Sequence, residues 1–147
     1  MRRERSVSSP PRRPRPRAEF NVAFLPSKDR KYLLERELAF EEVAVGAVNG
    51  LVFPDFHLPS GHFDCDVSSV LIILPGGYPD LSPDMFYLNP WVRLAATRQY
   101  ARCADQAHQF NNINWQRWSR HNNEWRRGKD GIWTMLKRVE HALQEAK

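Results

Sequence analysis

Short runs of apolar residues, broken by prolines and glycines, dominate the centre of the chain. Val70–Leu74 is a continuous apolar run, short enough to form a strand that is buried on both faces. Strand character resumes at Met85–Leu88, after a segment that contains Pro75, Pro79 and Pro83. Proline removes a backbone donor and restricts the residue before it. The pattern therefore predicts two interior strands joined by a rigid, water-facing proline corner.

Two more strands are predicted before this region. Phe40–Val45 and Gly50–Phe53 have strand character, and Asn49-Gly50 between them is typical of a hairpin turn. Pro54 and Pro59 restrict the following residues to an edge or a loop. Four successive strands joined by short turns predict an antiparallel meander with one face free to pack helices.

Helical patterns lie at both ends of this β region. Ser27 to about Ala39 predicts a first helix that Ser27 caps. Its expected buried stripe consists of Tyr32, Leu33, Leu34 and Leu38. Asp130 is expected to cap a final helix with one apolar face, formed by Ile132, Met135, Leu136, Val139, Ala142 and Leu143. Residues 91–114 show no sustained periodicity and predict an irregular crossover, so the fold class is α+β.

Length and composition predict one domain in a cytoplasmic protein. The chain has 147 residues, of which 41% are hydrophobic, and only two are cysteines. No apolar run approaches the ~20 residues of a membrane helix, and no signal peptide is recognisable. We expect no disulfide framework, no metal and no cofactor.

The formal net charge of +5 is unevenly distributed. Residues 1–17 contain seven arginines and one glutamate, and their Pro/Arg composition predicts a disordered tail at residues 1–18, outside a domain at residues 19–147. This tail could contact nucleic acid or an acidic partner, or serve only as a solubilising extension. Within the domain, residues 19–91 carry a net charge of −7 and residues 92–147 a net charge of +6.

Three separated motifs resemble the ubiquitin-conjugating-enzyme (UBC) superfamily, and most closely a bacterial branch found in multi-ubiquitin operons. The first motif is LPGGYPDLSPDMF (74–86), the second is WQRWSRH (115–121) and the third is WRRGKDG (125–131). The resemblance covers roughly residues 24–147 in order. It implies a UBC-like fold with an N-terminal helix, a four-stranded antiparallel meander, a proline-rich corner, an irregular crossover and a C-terminal helix.

The resemblance also implies where chemistry would occur. In this superfamily, a cysteine beyond the Asn/Pro turn accepts the C-terminal glycine of ubiquitin as a thioester and passes it to a lysine. Cys103 is the cysteine in that stretch, and Asn89 is the counterpart of the asparagine that donates to the oxyanion. Asp105 and His108 are candidates to orient or deprotonate the incoming amine, and Arg98 and Arg102 would lower the thiol pKa.

Several departures from the superfamily pattern support a different interpretation. Leu88-Asn89-Pro90 stands in place of His-Pro-Asn, and the spacing from this turn to Cys103 is longer than in eukaryotic members. The bacterial branch often has a small apolar residue where Cys103 stands. Cys103 is then an incidental loop thiol, and the protein is a non-catalytic UBC-fold adaptor.

Two other features allow more than one interpretation. Cys65 lies beside His62, Asp64 and Asp66, but adjacent strand residues point to opposite faces, so a structural role is favoured over a metal site. The second motif interleaves tryptophans with arginines, which is compatible with single-stranded nucleic acid. We favour buried tryptophans, with Arg117, Arg120 and His121 facing an acidic partner.

The resemblance implies partners as well. They are a ubiquitin-like protein, a ThiF-type activating enzyme and a JAB-type peptidase, with no membrane involved. The net charge of the domain is not basic, which argues against nucleic-acid binding by the domain, whereas the tail could contact nucleic acid.

Overall fold

The computed structural model describes residues 23–121 and 124–147, so the predicted tail at residues 1–18 lies outside the described residues. The elements of the described part are α1 (Ser27–Glu35), β1 (Glu41–Val45), β2 (Val48–His57), β3 (Val67–Leu74), β4 (Phe86–Asn89), β5 (Gln106–Phe110), β6 (Ile113–Trp118) and α2 (Ile132–Gln144). The predicted α+β class is confirmed. Neither of these two helices has the length and apolar character needed to span a bilayer.

The strands of the described residues form one antiparallel sheet in the order β1-β2-β3-β4-β6-β5. The predicted irregular crossover at residues 91–114 is wrong from residue 106 onward, because β5 and β6 begin at residues 106 and 113 and extend the sheet to six strands. Asn111 and Asn112 join these two strands with φ angles of 53° and 63°. Asparagine tolerates positive φ, and two such residues in succession make a tight type I′ hairpin. The run of asparagines therefore marks a turn between strands.

The predicted hairpin turn at Asn49-Gly50 is wrong. Val45 pairs with Val48, so the turn consists of residues 46 and 47, and Gly50 lies inside β2. A β carbon at Gly50 would lie 2.6 Å from Cζ of Phe110. Phe110 belongs to β5, the far edge of the sheet, so the sheet curls strongly enough to bring its edge over β2. This glycine permits close packing, and it does not form a turn.

The prediction that Pro54 restricts the following residues to an edge or a loop agrees with the strand pairing. β2 continues to His57, but β1 pairs only with residues 48–52, so the part of β2 that contains Pro54 has β3 as its one neighbour, and its pairing with β3 shifts register between Phe53 and Phe56. A proline is tolerated at such an edge and beside such a bulge, because the ladder is already interrupted there. Ser69 of β3 donates a hydrogen bond to the Pro54 carbonyl at 3.0 Å, which satisfies that acceptor.

β3 is buried on both faces, as its apolar run predicts. Val70 and Ile72 belong to the larger core, which also contains the buried side chains of α1 and α2. Leu71 points the other way, into a smaller cluster with Tyr87, Phe110 and Trp115. The helices cover one face of the sheet, and the curl of the sheet buries much of the other.

The two helices differ from their predictions mainly at their ends. α1 ends at Glu35 rather than near Ala39, and Pro26 occupies its N-cap position, so the prediction that Ser27 is the cap is wrong. Leu33 is fully buried, whereas Leu34 is 60% exposed. In α2 the N-cap is Gly131, so the prediction that Asp130 is the cap is wrong too. The predicted apolar face of α2 is confirmed except for Ala142, which is half-buried; its buried residues are Ile132, Met135, Leu136, Val139 and Leu143.

Gly50→Ala is expected to destabilise the protein by about 1–3 kcal/mol, because the new methyl group would overlap the Phe110 ring and the Leu71 side chain. Urea denaturation monitored by tryptophan fluorescence measures the change. Gly76→Ala is the matched control, since a β carbon there meets no atom within 4 Å. Equal stability of the two variants would contradict the contact between β5 and β2.

Candidate functional site

The third motif packs directly on the proline corner, which we define as residues 75–83. Trp125 donates its indole N–H to the Pro79 carbonyl at 2.8 Å, and its ring centroid lies 6.3 Å from that of Tyr78. Arg127 forms an exposed ion pair with Asp80 at 3.6 Å. Motifs that lie about forty residues apart in the sequence are therefore adjacent in space.

The second motif meets the end of the first motif. The Trp118 ring stacks on Phe86 with centroids 5.5 Å apart, and both side chains are almost completely buried. His121 Nδ1 lies 2.6 Å from Asp84 Oδ1 on the surface. All three motifs thus converge on one side of the molecule.

A buried carboxylate joins the proline corner to both helices. Asp29 of α1 is 2% exposed, and it accepts hydrogen bonds from the Tyr78 hydroxyl and from the backbone N–H of Ile132 at the start of α2. Burial raises the pKa of Asp29 above its ordinary value, and the two hydrogen bonds oppose this rise. Burial and the adjacent Asp29 raise the pKa of Tyr78, so this hydroxyl stays protonated as a donor.

A second carboxylate closes the third motif just before α2. Asp130 is 6% exposed and accepts hydrogen bonds from the Arg126 backbone at 2.7 Å, the Arg126 guanidinium at 3.0 Å and the Thr134 hydroxyl at 2.9 Å. The hydrogen bond from the Arg126 side chain is the main reason that the pKa of Asp130 falls to about 2. The carboxylate fixes the turn that leads into the helix.

A cavity of about 870 Å³ lies beside the converging motifs, lined by α2, by residues that follow β6 and by the loop that precedes β5. This volume is in the range of ordinary ligand pockets. Its apolar lining includes Phe86, Met135 and Ala142, and Cys103 also lines it. Its basic lining residues are Arg102, Arg120, His121, Arg126, Lys137, Arg138, His141 and Lys147.

Cys103 is exposed on a tight turn whose position is fixed by backbone hydrogen bonds. The Ala104 N–H donates to the Ala101 carbonyl at 3.1 Å, and Cys103 occupies the third position of this turn with a φ of 57°. Its carbonyl accepts the N–H of Ser119 at 3.1 Å. Ala101 and Ala104 are buried, so the turn is anchored on both sides while the thiol faces outward.

Gln116 fixes the loop that carries Cys103. This side chain is completely buried, and it accepts the Val92 N–H at 2.9 Å while donating to the carbonyls of Val92 at 3.0 Å and Ala104 at 2.8 Å. The amide therefore holds both ends of residues 92–104 against β6. Gln116 was not among the predicted site residues. The sequence did contain a clue to this residue. It is an uncharged polar residue between two tryptophans, two positions before Trp118, so the two side chains point to the same face of the strand.

Arginines approach the thiol from two sides. Burial lowers the pKa of Arg120. Arg102 lowers this pKa further and Cys103 raises it, so all three groups are close neighbours. The Arg120 guanidinium lies 5.1 Å from the centroid of the Trp118 ring and donates to the Ser119 carbonyl at 3.0 Å. Two cationic side chains therefore lie beside the cysteine turn.

Four of the predicted site residues meet at the cavity, namely Arg102, Cys103, Arg120 and His121, whereas Arg98 does not line it. Asn89 does not line the cavity. It lies three residues beyond Phe86 at the opposite end of β4, which at about 3.3 Å per residue corresponds to roughly 10 Å. Asp105 is exposed between the cysteine turn and β5, and it is not part of the cavity wall either.

His108 and Arg117 lie on the other face of the sheet. His108 pairs with Trp115, and its ring stacks on Tyr87 with centroids 4.7 Å apart. Arg117 pairs with Tyr87, which belongs to the smaller core cluster. The structure therefore separates these two residues from Cys103.

Cys65 is half-buried against the larger core. Its thiol donates a weak hydrogen bond to the Val67 carbonyl at 3.6 Å, and burial raises its pKa. A raised pKa keeps the thiol protonated and unreactive, which fits the structural role favoured from the sequence.

Tyr78→Phe is expected to lower the free energy of unfolding by about 1–3 kcal/mol at neutral pH, because a buried carboxylate would lose a donor. Folding raises the Asp29 pKa above 3.8, so the native state holds its proton more tightly than the unfolded chain. The stability contribution of this site therefore falls as the pH rises above that value. Removing the Tyr78 donor raises the pKa further, so the deficit should be larger at neutral pH than at about pH 4.

Urea denaturation at both pH values tests this, with Tyr100→Phe as the control. The Tyr100 hydroxyl takes part in an exposed hydrogen bond with Arg93, so its loss should change stability by less than about 0.5 kcal/mol. The proposed role of Asp29 is wrong if the two variants behave alike.

Asp130→Asn is expected to cost about 1–3 kcal/mol at neutral pH, because it weakens several hydrogen bonds to one buried carboxylate. With a native pKa of about 2, the contribution of Asp130 is complete above its ordinary value of 3.8 and is lost as the pH falls towards 2. The difference in Tm between wild type and variant should thus shrink on acidification. Asp55→Asn, at an exposed position, provides the control, and a constant difference in Tm would refute this account.

Comparison with known proteins adds one finding to this geometry. Residues 25–146 match the model of a family described as "Prokaryotic E2 family E". A search of curated proteins and a search of solved structures gave no significant match.

Proposed function

This chain belongs to the prokaryotic E2 family E, and from that premise we propose that it is a UBC-fold component of a bacterial ubiquitin-like conjugation pathway. In this role it handles a ubiquitin-like protein together with a ThiF-type activating enzyme. The operon context and a JAB-type peptidase are implied by the sequence resemblance and belong to the same proposal.

The main candidate role is that of a thioester carrier. The Cys103 thiolate would attack the acyl carbon of the C-terminal glycine, which the activating enzyme holds as a thioester. A new S–C bond forms, and the thiolate of the activating enzyme leaves with the bonding electrons. A neutral amine of the acceptor then attacks the same carbon, loses its proton and displaces the Cys103 thiolate. Sulfur is suited to both steps because it is a strong nucleophile and a good leaving group.

The observation that carries this role is the presentation of Cys103. The thiol is exposed on a turn that Gln116 and Ser119 fix, and it lines a cavity large enough for a peptide segment. Arg120 and Arg102 lie beside the thiol. The convergence of all three motifs around the same cavity links the sequence resemblance to this position.

A second candidate role, that of a non-catalytic adaptor, is favoured by the location of the other predicted residues. Asn89, Asp105 and His108 lie away from the cavity, so they do not supply an oxyanion donor or a base beside the thiol. Under this hypothesis the protein docks the ubiquitin-like protein or its activating enzyme, and Cys103 is incidental.

Nucleic-acid binding through the second motif is not supported. Trp115 and Trp118 are 3% and 0% exposed, so their rings cannot stack on bases. The possibility that the basic tail contacts nucleic acid stays a prediction, since residues 1–18 lie outside the described part of the chain.

A thioester assay distinguishes the carrier from the adaptor. The protein is incubated with ATP and with the ubiquitin-like protein and adenylating enzyme encoded near its gene. The carrier role predicts an adduct on wild type that a thiol reductant removes. Cys103→Ser should abolish that adduct or replace it with a reductant-resistant ester, whereas Cys65→Ser, the matched control, should leave it intact.

The same variants test the alternative. If Cys103→Ser supports conjugation as well as wild type does, the carrier role is wrong and the adaptor role is favoured. If the protein neither forms an adduct nor binds either component in a pull-down, both roles are wrong.

A further inference from the structure

We propose that the cavity beside Cys103 receives an extended, acidic segment of a protein partner. This inference rests on the proposed function, because it specifies the chemistry of the segment that reaches the thiol. Three observations support it. The cavity wall is basic, the face of α2 that lines it is long, and backbone N–H groups at the start of α2 already have hydrogen-bond partners.

The cavity wall is strongly basic. Six of its lining residues are Arg or Lys, whereas two are Asp or Glu. One of those two acids, Asp130, already pairs with Arg126. With six cations and two acids, of which Glu145 is the second, the wall carries a formal net charge of +4. The domain as a whole carries a near-zero net charge, so this concentration of positive charge is local.

Two of these cations are partly withdrawn from water. Burial lowers the pKa of both Arg120 and Arg138, which means that the wall disfavours their charged forms. Arg138 donates to the Ser82 hydroxyl at 3.0 Å, and the acids that act on its charge are Asp84 and Asp130. A carboxylate that enters the cavity would add a further counter-charge at partly desolvated positions, where charge-assisted hydrogen bonds are strongest.

The cavity wall formed by α2 is elongated along the helix axis. Thr134, Lys137, Arg138, His141 and Glu145 line the cavity from successive turns of α2 and its C-terminal end. At 1.5 Å per residue this face extends over roughly 16 Å. An extended peptide of about five residues spans the same length. Its apolar side chains would contact Trp133 and Ala142, the half-buried apolar residues of this wall, while its acidic ones meet the cations.

A polyphosphate fits this wall less well than a peptide. Phosphate groups bind preferentially at helix N-termini, where free N–H groups converge. At the start of α2 the Ile132 N–H is already bonded to Asp29, and the Gly131 N–H is 3.3 Å from the Thr134 hydroxyl. The cations along the wall are side chains distributed over the helix, which suits carboxylates spaced along a chain.

The proposed specificity has a chemical consequence for the thiol. An acceptor lysine in a basic or neutral segment would be repelled by Arg120 and Arg102, whereas acidic neighbours would carry the amine to the sulfur. The same reasoning applies to the segment that bears the acyl group. The partner segment is therefore recognised by its charge before any bond is made.

Fluorescence anisotropy with labelled peptides tests the proposal on the full-length protein. The probe is a seven-residue peptide of alternating Glu and Leu, with the matched Lys/Leu peptide as the control and inorganic triphosphate as competitor. We expect binding of the acidic peptide, no binding of the basic one, and affinity that falls as salt rises. Lys137→Glu, at an exposed position, should weaken binding about fivefold, and Lys137→Glu with Arg138→Glu more than about tenfold.

Lys28→Glu with Lys31→Glu provides the matched control, because both lysines are exposed on α1 outside the cavity. The proposal is overturned if the acidic peptide does not bind, if the control pair weakens binding as much as the cavity pair, or if triphosphate competes more strongly than the peptide. Thioester formation without peptide binding would overturn this inference alone. Peptide binding without thioester formation would overturn only the carrier role.

Discussion

The fold depends on one buried carboxylate. Asp29 belongs to the first helix, the hydroxyl that it binds belongs to the proline corner, and the N–H that it binds begins the last helix. A buried anion without donors is costly, so the native packing has to bring both donors to it. This requirement couples the corner, the two helices and, through Trp125 on Pro79, the third motif. Two motifs that are about forty residues apart in the sequence thereby become parts of one packed unit.

The sequence pattern predicted elements whose signal is local. β3 was recognisable as a strand from a continuous apolar run, and α2 from a helical period of apolar residues. β5 and β6 were missed because the signal lay in an Asn-Asn turn and a polar alternation without long apolar runs. Gly50 was misassigned because a glycine required by a distant aromatic ring cannot be distinguished in the sequence from one required by a turn.

The part of the candidate site that could be predicted was the part that the resemblance to known motifs covers. Cys103 and Arg120 do line one cavity. His108 was chosen for its nearness in sequence, but successive strand residues face opposite sides, which placed it on Tyr87 instead. Asp29 and Gln116 were not identified. The role of a buried polar side chain depends on which backbone groups approach it, and these come from elements remote in the chain.

The hydrogen bonds of Gln116 allow the loop at residues 92–104 to vary in length. Since the amide fixes residues 92 and 104, and the exposed tip at residues 96–98 is closed by backbone hydrogen bonds of Leu94 with Arg98 and Gln99, residues can be added or removed at the tip without displacing the thiol. Loop closure entropy grows only slowly with length, so such changes have a small thermodynamic effect. The fold therefore constrains the number of residues between the Asn/Pro turn and Cys103 only weakly, because Gln116 sets the position of the turn that carries the thiol.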